Sequence, residues 1–131
     1  MSEEPMIAVV DDDESFRIAL VESLRSLSYG VCDFASAEEF LGAGDNSCDC
    51  VITDIHMPGM SGIDLARQIM TRERRVPVIM VTARTEPGLE AVAAASGVIC
   101  LLRKPFDSDA LTSCLGKVFD GRTGGSGGAA S

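Results

Sequence analysis

Three features of this 131-residue chain predict an α/β fold built on a parallel sheet. Five short apolar runs recur, at residues 6–10, 31–34, 51–53, 78–81 and 98–102. They are rich in β-branched side chains and unbroken rather than alternating, as in strands covered on both faces. Helical patterns fill the gaps between them and leave no spare strand for a hairpin, so right-handed crossovers connect the strands and put helices on both faces of the sheet.

Taken in order, the first helical pattern covers residues 14–28, with Phe16, Leu20, Leu24 and Leu27 at helical spacing and Gly30 as its C-terminal stop. The second opens on Ser36-x-x-Glu39, a capping box in which each side chain satisfies a backbone donor of the first turn. A third starts at Ser61 or Gly62 and turns Leu65, Ala66, Ile69 and Met70 inward. The fourth is expected from Pro87, a residue suited to a first helical turn, through Leu89, Val92 and Ala93. Asp107 is the expected N-cap of the fifth, which aligns Leu111, Cys114, Leu115 and Val118.

The length fits one domain, residues 1–120, because about 100–200 residues per domain is usual. Residues 121–131, GRTGGSGGAAS, read as a flexible Gly/Ser-rich linker, either natural or an expression scar. Apolar residues make up 46% of the chain, enough for a core, yet no run approaches the roughly 18 residues that cross a bilayer. The acidic start, MSEEPM, is unlike a secretory signal. An odd count of five cysteines, with Cys32, Cys50, Cys100 and Cys114 in or beside apolar segments, reads as reduced core thiols. Cys48 and Cys50 lack a zinc-site spacing. These features together lead to an expected cytoplasmic location.

Charge is unevenly placed. Residues 1–60 hold 13 acidic and 2 basic side chains, and residues 61–131 hold 7 and 9, so the halves carry −11 and +2 of the net −9. The net charge argues against nucleic-acid binding, which rests mainly on Lys and Arg against phosphate. An acidic half suits a cation or a basic partner. Its strongest cluster follows a strand, and in open parallel sheets ligands sit beyond the carboxyl ends of strands. Asp11, Asp12 and Asp13 follow the first run, Asp54 the third, Thr82 the fourth and Lys104 the fifth. Clustered carboxylates raise one another's pKa unless a cation joins them, and an all-oxygen set that leaves room for phosphate suits Mg²⁺. Thr82 and Lys104 then suit phosphate oxygens. The plainer reading has Asp13 capping a helix and Lys104 neutralising the acids.

Val9-Val10-Asp11-Asp12, the stretch from Thr53-Asp54 through His56-Met57-Pro58-Gly59-Met60-Ser61-Gly62, Val81-Thr82-Ala83 and Lys104-Pro105-Phe106 together resemble the receiver domains of two-component response regulators. The resemblance spans about residues 5–119 and is greatest to the FixJ-like subgroup, through residues 34–41 and the MPGMSG loop. It implies a flavodoxin-like doubly wound sheet of strand order 2-1-3-4-5. It also implies a signalling domain, not a turnover enzyme, in which Asp54 accepts a phosphoryl group from a phosphohistidine. By the same resemblance Asp12, Asp54 and the His56 backbone carbonyl bind Mg²⁺, and Asp11 acts through water. Thr82, the Ala83 amide and Lys104 hold the phosphoryl oxygens. The implied partners are a sensor histidine kinase or histidine phosphotransfer protein, an output domain or protein, and a second copy once phosphorylated. No membrane partner is implied, and no direct nucleic-acid contact within this segment.

One departure stands out. The family's usual aromatic residue three positions before the lysine is here Leu101, which has no ring or hydroxyl to follow Thr82. Arg84, two after Thr82, occupies a position that tunes water access in the family. His56 is expected to be a solvent-facing ring beside the site, and residues 72–75 a solvated helix end. Two other functions compete. Asp11-x-Asp13-x-Ser15 after a strand resembles the nucleophile motif of haloacid-dehalogenase-type phosphatases, although that reading leaves Asp54 and Met-Pro-Gly unexplained. A receiver used purely as a phosphorylation-independent interaction module is the third.

Overall fold

The computed structural model describes residues 4–43, 48–72, 75–84 and 86–127, by backbone alone from residue 120. Five strands alternate with five helices: β1 (Met6–Val10), α1 (Glu14–Ser26), β2 (Gly30–Phe34), α2 (Ala37–Gly42), β3 (Cys50–Asp54), α3 (Gly62–Met70), β4 (Val78–Thr82), α4 (Leu89–Ala95), β5 (Cys100–Arg103) and α5 (Ser108–Gly127). All pairings are parallel, in the order β2-β1-β3-β4-β5.

Each central strand feeds two cores. Ile7 and Val9 of β1, Cys50 and Ile52 of β3, and Ile79 and Val81 of β4 face Leu20 and Leu24 of α1 and Leu111 and Leu115 of α5. The alternate residues Ala8, Val10, Val51, Val78 and Met80 face Phe40, Leu65, Ile69, Leu89 and Ala93 on α2, α3 and α4. Burial on both faces is why the strands read as continuous apolar runs. With both faces filled, polar side chains at the strand ends collect along one edge.

Helix starts follow their side-chain caps. The Phe16 amide donates to Asp13, Glu39 to Ser36, Asp64 to Ser61 and Ala110 to Asp107. Glu39 reaches back to the Ala35 amide at 3.0 Å, one residue before the donor of the usual box. Several boundaries differ from expectation. The first helix stops at Ser26, because Ser28 takes the left-handed turn (φ 73°) and the Tyr29 amide closes on the Leu24 carbonyl, freeing Gly30 to begin β2. Gly88, at φ 81°, likewise cannot continue a right-handed helix, so α4 begins at Leu89 and not at Pro87. Leu27, Met70 and Val92 stay partly exposed instead of joining the core.

Further differences concern the termini and the cysteines. Helix α5 continues to Gly127, seven residues into the segment whose composition reads as a linker. That extension runs against intrinsic preference, since four of its seven residues are glycine. Residues 1–3 and 128–131 lie outside the described residues. Cys100 and Cys114, expected as reduced thiols, form a disulfide: β5 and α5 pack together and bring their Cα atoms to 6.0 Å, within bridging range. Cys48 and Cys50 are buried, and Cys32 is half-buried. Of residues 72–75, Glu73 and Arg74 lie outside the described residues, while Arg72 places its guanidinium 5.9 Å from the centroid of the Phe40 ring, not in open solvent.

Candidate functional site

Four strand ends meet at one edge of the sheet. Asp11 follows β1, Asp54 ends β3, Thr82 ends β4 and Lys104 follows β5. Carboxylate oxygens of Asp11, Asp12 and Asp54 all lie within 4.8 Å of one another. Asp11 (1% exposed) and Asp54 (7%) are buried, and Asp12 faces solvent. The Lys104 ammonium is 3.0 Å from Asp11 Oδ2 and 3.8 Å from Asp54 Oδ2. The Lys104 backbone amide donates to the Thr82 carbonyl at 2.8 Å, which fixes the two strand ends together. Ala83 follows Thr82 at the surface.

Burial is the main reason the Asp54 carboxyl is pushed up to about 6, with the charge of Asp11 adding to it. Lys104 and the Ile55 amide oppose the shift, and Asp12 adds a little. A buried carboxylate with a like neighbour gains from any cation it can share. Three carboxylates with oxygen ligands, one of them open to solvent, fit a hard divalent cation such as Mg²⁺ that keeps part of its water shell.

The surrounding chain holds this set in place. The Arg17 guanidinium donates to the Asp11 carbonyl at 2.7 Å and pairs with Asp33 at 2.9 Å, clamping the turn that carries the acids. On the other side, Glu38 of α2 accepts from the Met60 amide at 2.9 Å. It lies against Gly59, whose φ of 78° suits glycine, so the Pro58-Gly59 turn is anchored from a distant helix. The Gly62 amide donates to the Ile55 carbonyl, and a Cβ at Gly62 would run into the Asp54 carbonyl oxygen. Sequence reasoning missed Arg17 and Glu38 as supports. Arg17 carried a signal: it is one of two basic side chains in residues 1–60, close behind three aspartates.

Thr82 is fully buried, and its hydroxyl accepts from the Arg84 amide at 3.0 Å. His56 turns Nε2 toward Glu86 at 3.7 Å and buries Nδ1 without a hydrogen-bond partner among the described residues. Its ring is therefore half-buried, not fully solvent-facing. His56, Arg84, Glu86, Met57, Pro58 and Val92 line a cavity of about 680 Å³ that opens beside the carboxylates and is not lined by them. Leu101, half-buried on β5, packs against the α2–α4 core.

A family model for the response regulator receiver domain matches residues 7–115. The chain belongs to this family. The receiver is 34% identical over 110 residues to the transcriptional regulatory protein FixJ of Bradyrhizobium diazoefficiens, covering 83% of this chain and 54% of that one. Over 112 residues it is 36% identical to the C4-dicarboxylate transport transcriptional regulatory protein DctD of Rhizobium meliloti, covering 85% and 24%. It thus spans about half or less of the length of these relatives. Among solved structures it resembles FixJ-N, with a TM-score of 0.81 at 27% identity over 89% of this chain and 94% of that one. CheY4 of Vibrio cholerae gives 0.80 at 27% identity over 88% and 99%. The strand order is the one the resemblance implies. The phosphatase alternative is not favoured: Asp11, its required nucleophile, is buried with Oδ1 taken by the Asp13 amide and Oδ2 by Lys104.

Proposed function

We propose that this receiver accepts a phosphoryl group on Asp54 from a phosphohistidine of a sensor histidine kinase or histidine phosphotransfer protein. The observation that carries the reading is the sharing of one ammonium, Lys104, between buried Asp11 and Asp54. An acyl phosphate on Asp54 brings more negative charge to this edge, and Lys104 is the cation in reach of it.

Asp12, Asp54 and the His56 carbonyl would hold Mg²⁺ directly and Asp11 through water. The bound cation supplies charge neutralisation for the transferring group. Asp54 is the nucleophile. The Thr82 hydroxyl, the Ala83 amide and the Lys104 ammonium orient the phosphoryl oxygens, so catalysis is chiefly positioning and electrostatics. Self-catalysed transfer and autodephosphorylation belong to the same reading. So do an output domain or partner, a phosphorylation-dependent dimer, and a domain boundary near residue 120. The cytoplasmic location follows from the kinase partner.

Incubation of the full chain with acetyl phosphate and Mg²⁺, followed by intact mass and peptide mapping, tests this. A single phosphoryl group on Asp54, absent from Asp54→Asn, is expected. Labelling elsewhere, or unchanged labelling of the variant, rejects the assignment.

A further inference from the structure

The seat of the Lys104 ammonium is only partly acidic. Besides its contacts to Asp11 and Asp54, Nζ stands 4.0 Å from the centroid of the Phe16 ring on α1. Phe16 is set in turn by Phe106, two residues after Lys104, in a T-shaped contact at 5.7 Å and 80°. Phe16 of the first helix thus faces the cation, and Phe106, from the loop before the last helix, packs against its ring. The Lys104 side chain is 15% exposed, so water does little to hold it there.

The chemistry of the two kinds of neighbour differs. A carboxylate that holds the ammonium competes with a phosphoryl group for the same positive charge. The face of an aromatic ring attracts the cation through its quadrupole without neutralising it. It keeps the long lysine side chain in one place and leaves its N–H donors for oxygen. Ordering the cation in advance removes a reorganisation step from the transfer.

We infer that Phe16 is a positioning residue for Lys104, holding its ammonium within reach of the phosphoryl oxygens on Asp54 and thereby setting the transfer rate. The inference rests on the proposed phosphoacceptor role of Asp54. A plain packing role must be separated from it, because Phe16 also packs against the α1–α5 core and lines a cavity of about 130 Å³ with Phe106 and Leu111.

Fluorinated phenylalanines at position 16 make the separation, since they weaken the ring quadrupole stepwise with little change of shape. In the full chain, with acetyl phosphate and saturating Mg²⁺, the initial rate of Asp54 labelling should fall about 3- to 10-fold across the series, at constant melting temperature and Mg²⁺ affinity. Phe16→Leu should show a similar loss and Phe16→Trp should retain the rate. Lys104 and Lys117 are the chain's two lysines, so lysine-selective labelling gives two ε-methylene NMR signals, of which that of Lys104 should move in Phe16→Leu. Wild-type rates in the fluorinated and Leu variants, or a Lys104 signal that does not move, overturn the inference alone. Absence of Asp54 labelling in the wild type overturns the phosphoacceptor reading with it.

Discussion

The carboxylates of Asp11 and Asp54 lie side by side at the end of the sheet, with the Lys104 ammonium 3.0 Å from one and 3.8 Å from the other. Burial, with the charge of Asp11 added and that of Lys104 opposing it, pushes Asp54 up to about 6. Without metal, the folded state holds this proton more tightly than the unfolded chain does. The associated stability is fully present below the ordinary value of 3.8 and is lost as pH rises through about 6. Asp54→Asn removes the titration. In chelator, the variant should therefore gain on the wild type in melting temperature as pH rises from about 3.8 to about 6, with the difference levelling off above that. A difference that is flat with pH contradicts the shift.

Metal binding should show the opposite face of the same linkage. A dication displaces the Asp54 proton, so apparent Mg²⁺ affinity should fall as pH drops through about 6. Between the two neighbouring acids, Asp12→Ala should weaken Mg²⁺ more than Asp11→Ala. Asp12 is open to solvent, whereas Asp11 is already committed to Lys104 and the Asp13 amide. Titration calorimetry of both variants decides it, and equal losses count against Asp12 as the direct ligand.

What the sequence made legible was whatever depends on neighbours along the chain. Residues 78–81 read as a buried strand because β-branched side chains meet apolar partners on both faces, and Asp54 or Lys104 could be placed because each directly follows such a strand. The Ser36, Ser61 and Asp107 caps were readable for the same local reason. The contacts that support the site were not. Glu38 and Met60 are 22 residues apart, Lys104 and Asp11 are 93 apart, and the Cys100–Cys114 pair depends on how α5 settles on β5. The start of α4 was misplaced because Pro87 permits a first turn, while the left-handed backbone of Gly88 delays it.

Two glycines should respond very differently to alanine. At Gly62 a Cβ meets the Asp54 carbonyl and comes within 3.0 Å of Ile55 Cα, both backbone groups that hold the site. Gly62→Ala should cost about 3 kcal/mol and weaken Mg²⁺ binding through displacement of Asp54. Gly88 has φ 81° but open space around it, so Gly88→Ala should cost about 1 kcal/mol from backbone strain alone. Urea unfolding of the two variants measures this, and a larger loss at Gly88 would sink the packing argument.

Activation is the remaining question, and Thr82 supplies its starting point. Its hydroxyl now holds the Arg84 amide at 3.0 Å. A phosphoryl group on Asp54 that draws this hydroxyl toward itself must release that amide, so the loop after β4 cannot keep its present path. Among the described residues, little else ties the loop down. Glu86 reaches Arg84 at 3.5 Å and His56 at 3.7 Å from a half-exposed position, contacts that are weak in water. Helix α4 spans seven residues, and its N-cap, Gly88, offers no side-chain hydrogen bond. Leu101, in contrast, is already packed against the α2–α4 core and has no hydroxyl or ring to follow Thr82 inward. Moving such a switch from 1:99 to 99:1 takes roughly 5.5 kcal/mol of differential binding, which a charged group at Thr82 and Lys104 is suited to supply. Amide exchange with and without beryllofluoride should show its largest change at residues 83–95. Thr82→Ala should abolish most of that difference while leaving Mg²⁺ binding in place. If the strand around Leu101 responds first and residues 83–95 stay silent, coupling does not run through this loop.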